Sequence, residues 1–355
     1  MARRAIFSVL LTVALTAPAC TPFDPDSPAS SARPDPAEGG ADEPDSTIGD
    51  EQTDGGLDSP GSTCSLNQTF GQARFVPGFT SITGATWIGG LRLSPDLETG
   101  YYYANGPDAA GGTDLYVATR ATASSPFDSF MPLPGAGFNT VEYESSPTVS
   151  GNGLTIIFER SSAGNAPSTP ANLYYGTRAS TSEPFVYAGP LEDIGFDAGN
   201  NRGPFLRQDG QVLYFVSDRD SVSYPTIYRS VRDGSGADLG FGPAVAVAGL
   251  NGGFALSNPA VTPDDLTLYF AQSTVDSDGG PSDTTICVAT RSSAGDAFDT
   301  PVDVSELTLT VNGNATASLP SFVTADGCDL YFFSYYVSAD MPYGVQMQYY
   351  AVRGQ

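Results

Sequence analysis

Leu115-Tyr116-Val117-Ala118-Thr119-Arg120 is a hexapeptide that the chain writes five times. It returns as Leu173 to Arg178 (LYYGTR), Ile227 to Arg232 (IYRSVR), Ile286 to Arg291 (ICVATR) and Gln348 to Arg353 (QYYAVR). The five arginines stand 58, 54, 59 and 62 residues apart. Each of the last four copies follows a second run that ends in an aromatic: TIIF at Phe158, VLYF at Phe215, LTLYF at Phe270 and DLYF at Phe332. Tyr101-Tyr102-Tyr103 fills that place in the first copy. A supersecondary unit copied at a near-constant period announces a repeat architecture.

Working outward from the hexapeptide, each repeat resolves into four short strands. The first surrounds Pro147, Pro204, Pro259 or Pro320. A polar turn follows, such as Gly151-Asn152-Gly153, Asp209-Gly210 or Asp326-Gly327, the chemistry of a tight hairpin. The aromatic run is the second strand, the hexapeptide the third, and a segment opened by Phe127, Phe185, Phe241 or Phe298 the fourth. Four strands per repeat predict an all-β, five-bladed β-propeller, which removes exposed sheet edges by radial closure. The chain stops two residues after Arg353, so the fifth repeat lacks a fourth strand. Thr69 to Pro77 resembles the fourth-strand segment Pro126 to Pro132 and has no strands before it. The N-terminal strand therefore completes the last blade, and the propeller runs over 64–355.

Two cysteines fit that closure. Cys328 lies in the turn between the first and second strands of the fifth blade, and Cys64 enters the same blade's fourth strand from the same end, so a Cys64–Cys328 disulfide is expected. Cys287 takes the place held by Tyr116, Tyr174 and Tyr228 and reads as a free buried thiol.

Ahead of the propeller, residues 1–20 read as an export signal. Arg3 and Arg4 precede an apolar run too short to span a bilayer. Its end, Ala17-Pro18-Ala19-Cys20, resembles a bacterial lipobox, which implies a lipid on Cys20 and an anchor in the cell envelope, with Thr21 favouring the outer membrane. Residues 21–63 carry eleven acids against the single Arg33 and almost no large apolar side chain. Such a segment cannot bury enough surface to offset its ordering entropy and is expected to be an extended acidic tether.

Composition prunes the chemistry. The chain holds 40 acids, 15 bases and no histidine; every base is arginine and the net charge is −25. That surface repels phosphate backbones and argues against nucleic acid as a partner. Without histidine or lysine there is no Ser-His-Asp triad, no histidine-ligated zinc, no P-loop and no Schiff base. No cofactor and no metal site is expected.

The consensus P-x-V-S/T-x-D/N-G-x-x-L-Y-F followed by L-Y-x-A-T-R resembles the TolB-type, WD-repeat-like propeller repeat of bacterial envelope proteins. The resemblance covers Cys64 to Gln355. It implies an envelope propeller but no particular activity, because function lies in sites grafted on folds. Five blades in place of six, and no separate N-terminal α/β domain, mean that a role in the Tol–Pal system is not implied.

Propeller ligands usually sit where the innermost strands begin. Trp87, Glu144, Arg202 and Asn258 lie at those places and are the candidate binding residues, with Glu144 and Arg202 expected to face one another across the channel mouth and Trp87 offering a flat face to a sugar. Asp218-Arg219-Asp220 and Asp276-Ser277-Asp278 lack the spacing of a calcium loop and read as solvated turns. The recurrent arginines read as structural. The primary expectation is a monomeric, lipid-anchored, non-catalytic module that binds an envelope protein or glycan. The alternative is a carboxylate-dependent glycan-active enzyme using Glu142, Glu144 or Asp197, since paired carboxyl groups suffice for glycoside hydrolysis.

Overall fold

In the computed structural model, the described residues are 64–79, 85, 87–106, 109–162, 170–221, 224–250, 253–275, 281–311, 314–338 and 341–355. The expected signal segment with Cys20, the expected tether over 21–63 and the expected turn at 276–280 lie outside them.

The first strand of the described residues is a short one, β1 (Arg74–Phe75), and four complete blades follow. Blade 1 is β2 (Ile88–Leu93), β3 (Thr99–Ala104), β4 (Asp114–Thr119) and β5 (Ser129–Pro132). Blade 2 is β6 (Tyr143–Val149), β7 (Thr155–Ser161), β8 (Ala171–Thr177) and β9 (Val186–Pro190). Blade 3 is β10 (Asn201–Leu206), β11 (Val212–Ser217), β12 (Thr226–Val231) and β13 (Val245–Ala246). Blade 4 is β14 (Ala255–Val261), β15 (Thr267–Val275), β16 (Pro281–Thr290) and β17 (Val302–Asp303). After a small hairpin, β18 (Thr310–Val311) and β19 (Asn314–Ala315), blade 5 follows with β20 (Ala317–Val323), β21 (Asp329–Ser338) and β22 (Met341–Val352). Its fourth strand is β1, antiparallel to β22 with Arg74 opposite Tyr350 and Phe75 opposite Tyr349. The expected five-bladed ring and its closure by the N-terminal strand are both present.

The two recurring sequence runs explain how each blade packs. Their aromatics fall opposite one another on adjacent strands: Tyr102 faces Tyr116, Phe158 faces Tyr174, Phe215 faces Tyr228 and Phe332 faces Tyr349. Ring centroids lie 5.5 to 6.0 Å apart. Such directly opposed pairs are the unit of sheet stabilisation and contribute about 0.2–1 kcal/mol each beyond burial. In blade 4 the partner of Phe270 is Cys287, which is buried as expected but is not a free thiol.

Four of the five hexapeptide arginines lock a blade to its own hairpin. Nε of Arg120, Arg178, Arg291 and Arg353 donates to the carbonyl of Leu97, Gly153, Asp265 and Gly327, which all take positive φ in the turn between first and second strands. The same guanidinium groups lie 4.1 to 4.5 Å from the ring centroids of Phe127, Phe185, Phe298 and Phe70.

Closure is fastened at three points. The Cys64–Cys328 disulfide joins the segment before β1 to the β20–β21 turn, 264 residues apart in sequence. Phe70 N–H donates to Glu306 Oε1 at 3.1 Å, and Gln348 Nε2 reaches Ile88 O at 2.6 Å, tying blade 5 to blade 1.

Candidate functional site

The innermost strands β2, β6, β10, β14 and β20 each carry a one-residue bulge, between Gly89 and Arg92, Ser145 and Thr148, Arg202 and Phe205, Ser257 and Ala260, and Pro320 and Phe322. At four of them the chain turns left-handed, at Gly90 (φ 64°), Ser146 (49°), Gly203 (53°) and Asn258 (50°). A bulge breaks the alternation of side chains and re-aims the residues beside it. Here it turns Ser145, Arg202, Ser257 and their neighbours toward the axis, where they line a cavity of about 480 Å³. That volume falls in the range of small-ligand sites.

The cavity has two unlike walls. Blades 5 and 1 supply Phe333, Tyr335, Trp87 and Tyr103, with Trp87 edge-on to Tyr335 at 6.3 Å and Tyr103 edge-on to Phe333 at 6.4 Å. Blades 2 to 4 supply Glu159, Arg202, Asp218, Asn258 and a set of hydroxyls. Glu159 Oε1 accepts from Arg202 Nη1 at 3.0 Å, and Oε2 accepts from the bulge N–H of Gly203 at 3.0 Å. Asp218 is held by Asn200, through backbone N–H at 2.8 Å and Nδ2 at 2.7 Å. Both carboxyl groups are thus fixed in direction by partners on the neighbouring strand start. Burial lifts the Tyr103 hydroxyl well above the usual phenol range, which keeps it neutral and able to donate.

Of the candidate binding residues, Trp87, Arg202 and Asn258 line the cavity and Glu144 does not. Glu144 is fully buried away from the axis, accepting from Arg160 Nε at 2.8 Å and from the N–H and hydroxyl of Thr140. Burial raises its carboxyl, opposed by Thr140 and Arg160. The expected Glu144–Arg202 pairing is corrected: Arg202 pairs with Glu159. The reason is strand parity. Ser145, not Glu144, lies opposite Glu159, and adjacent residues on a strand point to opposite faces. Glu142 sits 3.8 Å from Arg160 in the same off-axis cluster, and Asp197 falls in a short 3-10 turn, Phe196–Ala198. Asp218, read from the sequence as part of a solvated turn, belongs to the cavity.

Glu159, Asp218 and Tyr335 are the site residues that sequence reasoning missed. Glu159 did leave a signal. It follows the recurring aromatic, in a column that otherwise holds Tyr103, Val216, Ala271 and Phe333, so it is the one charged residue of five.

No family model and no curated protein matches the sequence. Solved structures do match by shape. An alpha-L-arabinofuranosidase from Podospora anserina, in complex with cellotriose, aligns over 81% of this chain and 97% of its own at 13% identity, with a TM-score of 0.47. An endo-arabinase from Bacteroides thetaiotaomicron aligns over 79% of this chain and 98% of its own at 14% identity, TM-score 0.46. A TolB-like propeller from Agrobacterium tumefaciens aligns over 76% and 91% at 15% identity, TM-score 0.36. At these identities the likeness is one of fold. The expectation of a non-catalytic module is corrected on the chemistry of the cavity: it leaned on the missing histidine and lysine, whereas glycoside hydrolysis asks only for carboxyl groups, and two of them, Glu159 and Asp218, line the cavity.

Proposed function

We propose that the protein is a glycan-active propeller whose axial cavity takes a short oligosaccharide. The observation that carries this reading is the two-walled cavity. A pyranose or furanose ring has an apolar C–H face and a rim of hydroxyls. The aromatic wall of Trp87, Tyr335 and Phe333 suits the first, and the wall of Glu159, Arg202, Asp218 and Asn258 suits the second. The names of the matched arabinofuranosidase and endo-arabinase point to the same substrate class.

In this reading Glu159 and Asp218 are the carboxyl groups available for hydrolysis. Glu159, held by a guanidinium and a backbone N–H, is the partner placed to stabilise developing positive charge at the anomeric carbon. Asp218, which lines the cavity from the next blade, is the candidate for proton transfer.

The test is a hydrolysis panel of neutral arabino-, galacto- and gluco-oligosaccharides, read by reducing-end release. Turnover is expected on at least one, with Glu159→Gln and Asp218→Asn each lowering kcat by about 10²–10⁴-fold. Trp87→Ala is expected chiefly to raise KM. A panel with neither turnover nor saturable binding, or carboxyl variants that keep full activity, would overturn the proposal.

A further inference from the structure

Beneath the cavity, the propeller axis holds a cation with no opposing charge. Arg92 leaves β2 of blade 1 and crosses to blade 3, where Nη2 donates to Pro204 O at 3.4 Å and the guanidinium lies 4.7 Å from the Phe205 ring centroid. The side chain is 4% exposed, and its Nε and Nη1 have no hydrogen-bond partner. Among the described residues no carboxylate pairs with it. Burial accordingly lowers its pKa from 12.5 to about 9, which leaves the group charged at neutral pH. Blade 5, which flanks blade 1, adds two further buried, unpartnered hydroxyls on its own axial strand, Ser318 and Ser321.

An uncompensated buried charge is among the costliest features a fold can carry, and natural sites neutralise it with a partner. Two of the other three buried arginines follow that rule: Arg160 has Glu144, and Arg291 shares Asp265 with Arg207 and Arg229. The third, Arg120, has no carboxylate but gives its guanidinium to the carbonyls of Leu97 and Ser125 in its own blade. Arg92 alone of these reaches across the ring, from blade 1 to the Pro204 carbonyl and the Phe205 ring of blade 3, with two donor nitrogens unmet. That chemistry selects a small monovalent anion.

We propose that the Arg92 guanidinium, through Nε and Nη1, binds a halide-sized anion, chloride in a cellular setting, on the propeller axis beneath the cavity. The site is distinct from the carbohydrate wall. Arg92 does not line the cavity, so the anion serves to neutralise the axial cation and stiffen the ring and does not contact substrate.

Crystals of the protein grown in bromide give a direct test through anomalous scattering. The expected result is a peak within hydrogen-bonding distance of Nε or Nη1, and the same map shows which serine hydroxyls complete the shell. Density that refines as water only, with no anomalous signal, overturns the proposal. Thermal unfolding supplies a second readout. At fixed ionic strength, exchanging a bulky organic anion for chloride is expected to raise Tm saturably in the wild type and not in Arg92→Met. An identical halide response in both proteins would also overturn it. If Arg92→Met fails to fold, the bromide map decides alone.

Discussion

A guanidinium offers five N–H donors in a fixed planar fork, and the repeat arginines spend theirs in the same way in one blade after another. Nε takes the turn carbonyl and one face covers the fourth-strand phenylalanine. Nη2 then reaches the second-strand tyrosine of the neighbouring blade: Arg178 to Tyr101 at 3.2 Å, Arg291 to Tyr214 at 3.1 Å and Arg353 to Tyr269. Blade 3 breaks the series. The residue of blade 2 in register with Tyr101, Tyr214, Tyr269 and Tyr331 is Ile157, and Arg232 accordingly has unpartnered Nε and Nη2. Ile157→Tyr is expected to supply the missing hydroxyl and stabilise the protein by about 1 kcal/mol in chemical denaturation. The gain should vanish when Arg232 is replaced by Met, and a gain that persists would assign it to packing. A second residue carries a pH dependence. Asp329, beside the β20–β21 turn, has its pKa raised from 3.8 to about 6 by burial, with Asp326 adding like-charge repulsion. The folded state therefore binds this proton more tightly than the unfolded chain. Its contribution is fullest at pH values below about 4 and is lost as pH rises through about 6, on the order of 1–3 kcal/mol. Asp329→Asn should flatten the stability profile across that window and raise Tm at pH 7; an unchanged slope would exclude Asp329 as its source.

At the scale of the strand, the axial bulge joins fold to site. Its left-handed residue costs little as glycine and more as any other residue. Gly203 has open space, the nearest atom to an added Cβ being Asn258 N at 3.8 Å, so Gly203→Ala should cost only the backbone strain, about 1–2 kcal/mol. At Gly90 an added Cβ would come within 2.9 Å of the Tyr103 ring, so Gly90→Ala should lose more and should also disturb the aromatic wall. Comparing the two unfolding midpoints checks the ordering. The bulge also marks how far the site was legible. The period, the aromatic runs and the proline of each first strand were written plainly enough to give strand order, blade number and ring closure. A bulge is not. It shifts register by one residue, and one residue decides whether Glu144 or its neighbour meets the axis. Trp87, Arg202 and Asn258 were found because they sit at strand starts, whereas Glu159 and Asp218 lie on or just after second strands and enter the cavity only because the first strands bend away.

For the whole molecule, the ring has one seam, between β1 and β22, and most of the fastening is concentrated there. Cys328→Ser should cost about 3–5 kcal/mol, because the disulfide constrains a very long loop in the unfolded chain. Reduction of the wild type should reproduce that loss, and a smaller shift would show that the β1–β22 pairing and the Phe70–Glu306 bond hold the seam without it. The seam also sets an order of events in time. At synthesis rates of about 5–20 residues per second, β1 leaves the ribosome tens of seconds before its partner strand exists. During that interval four blades have everything they need, while the segment from Cys64 to Phe75 has no sheet to join and Cys64 lacks its native partner, Cys328. The ring is therefore a clasp shut by β22, the last strand of the propeller to be made. Until then the molecule is an open arc with two bare ends, each able to take the matching end of another copy.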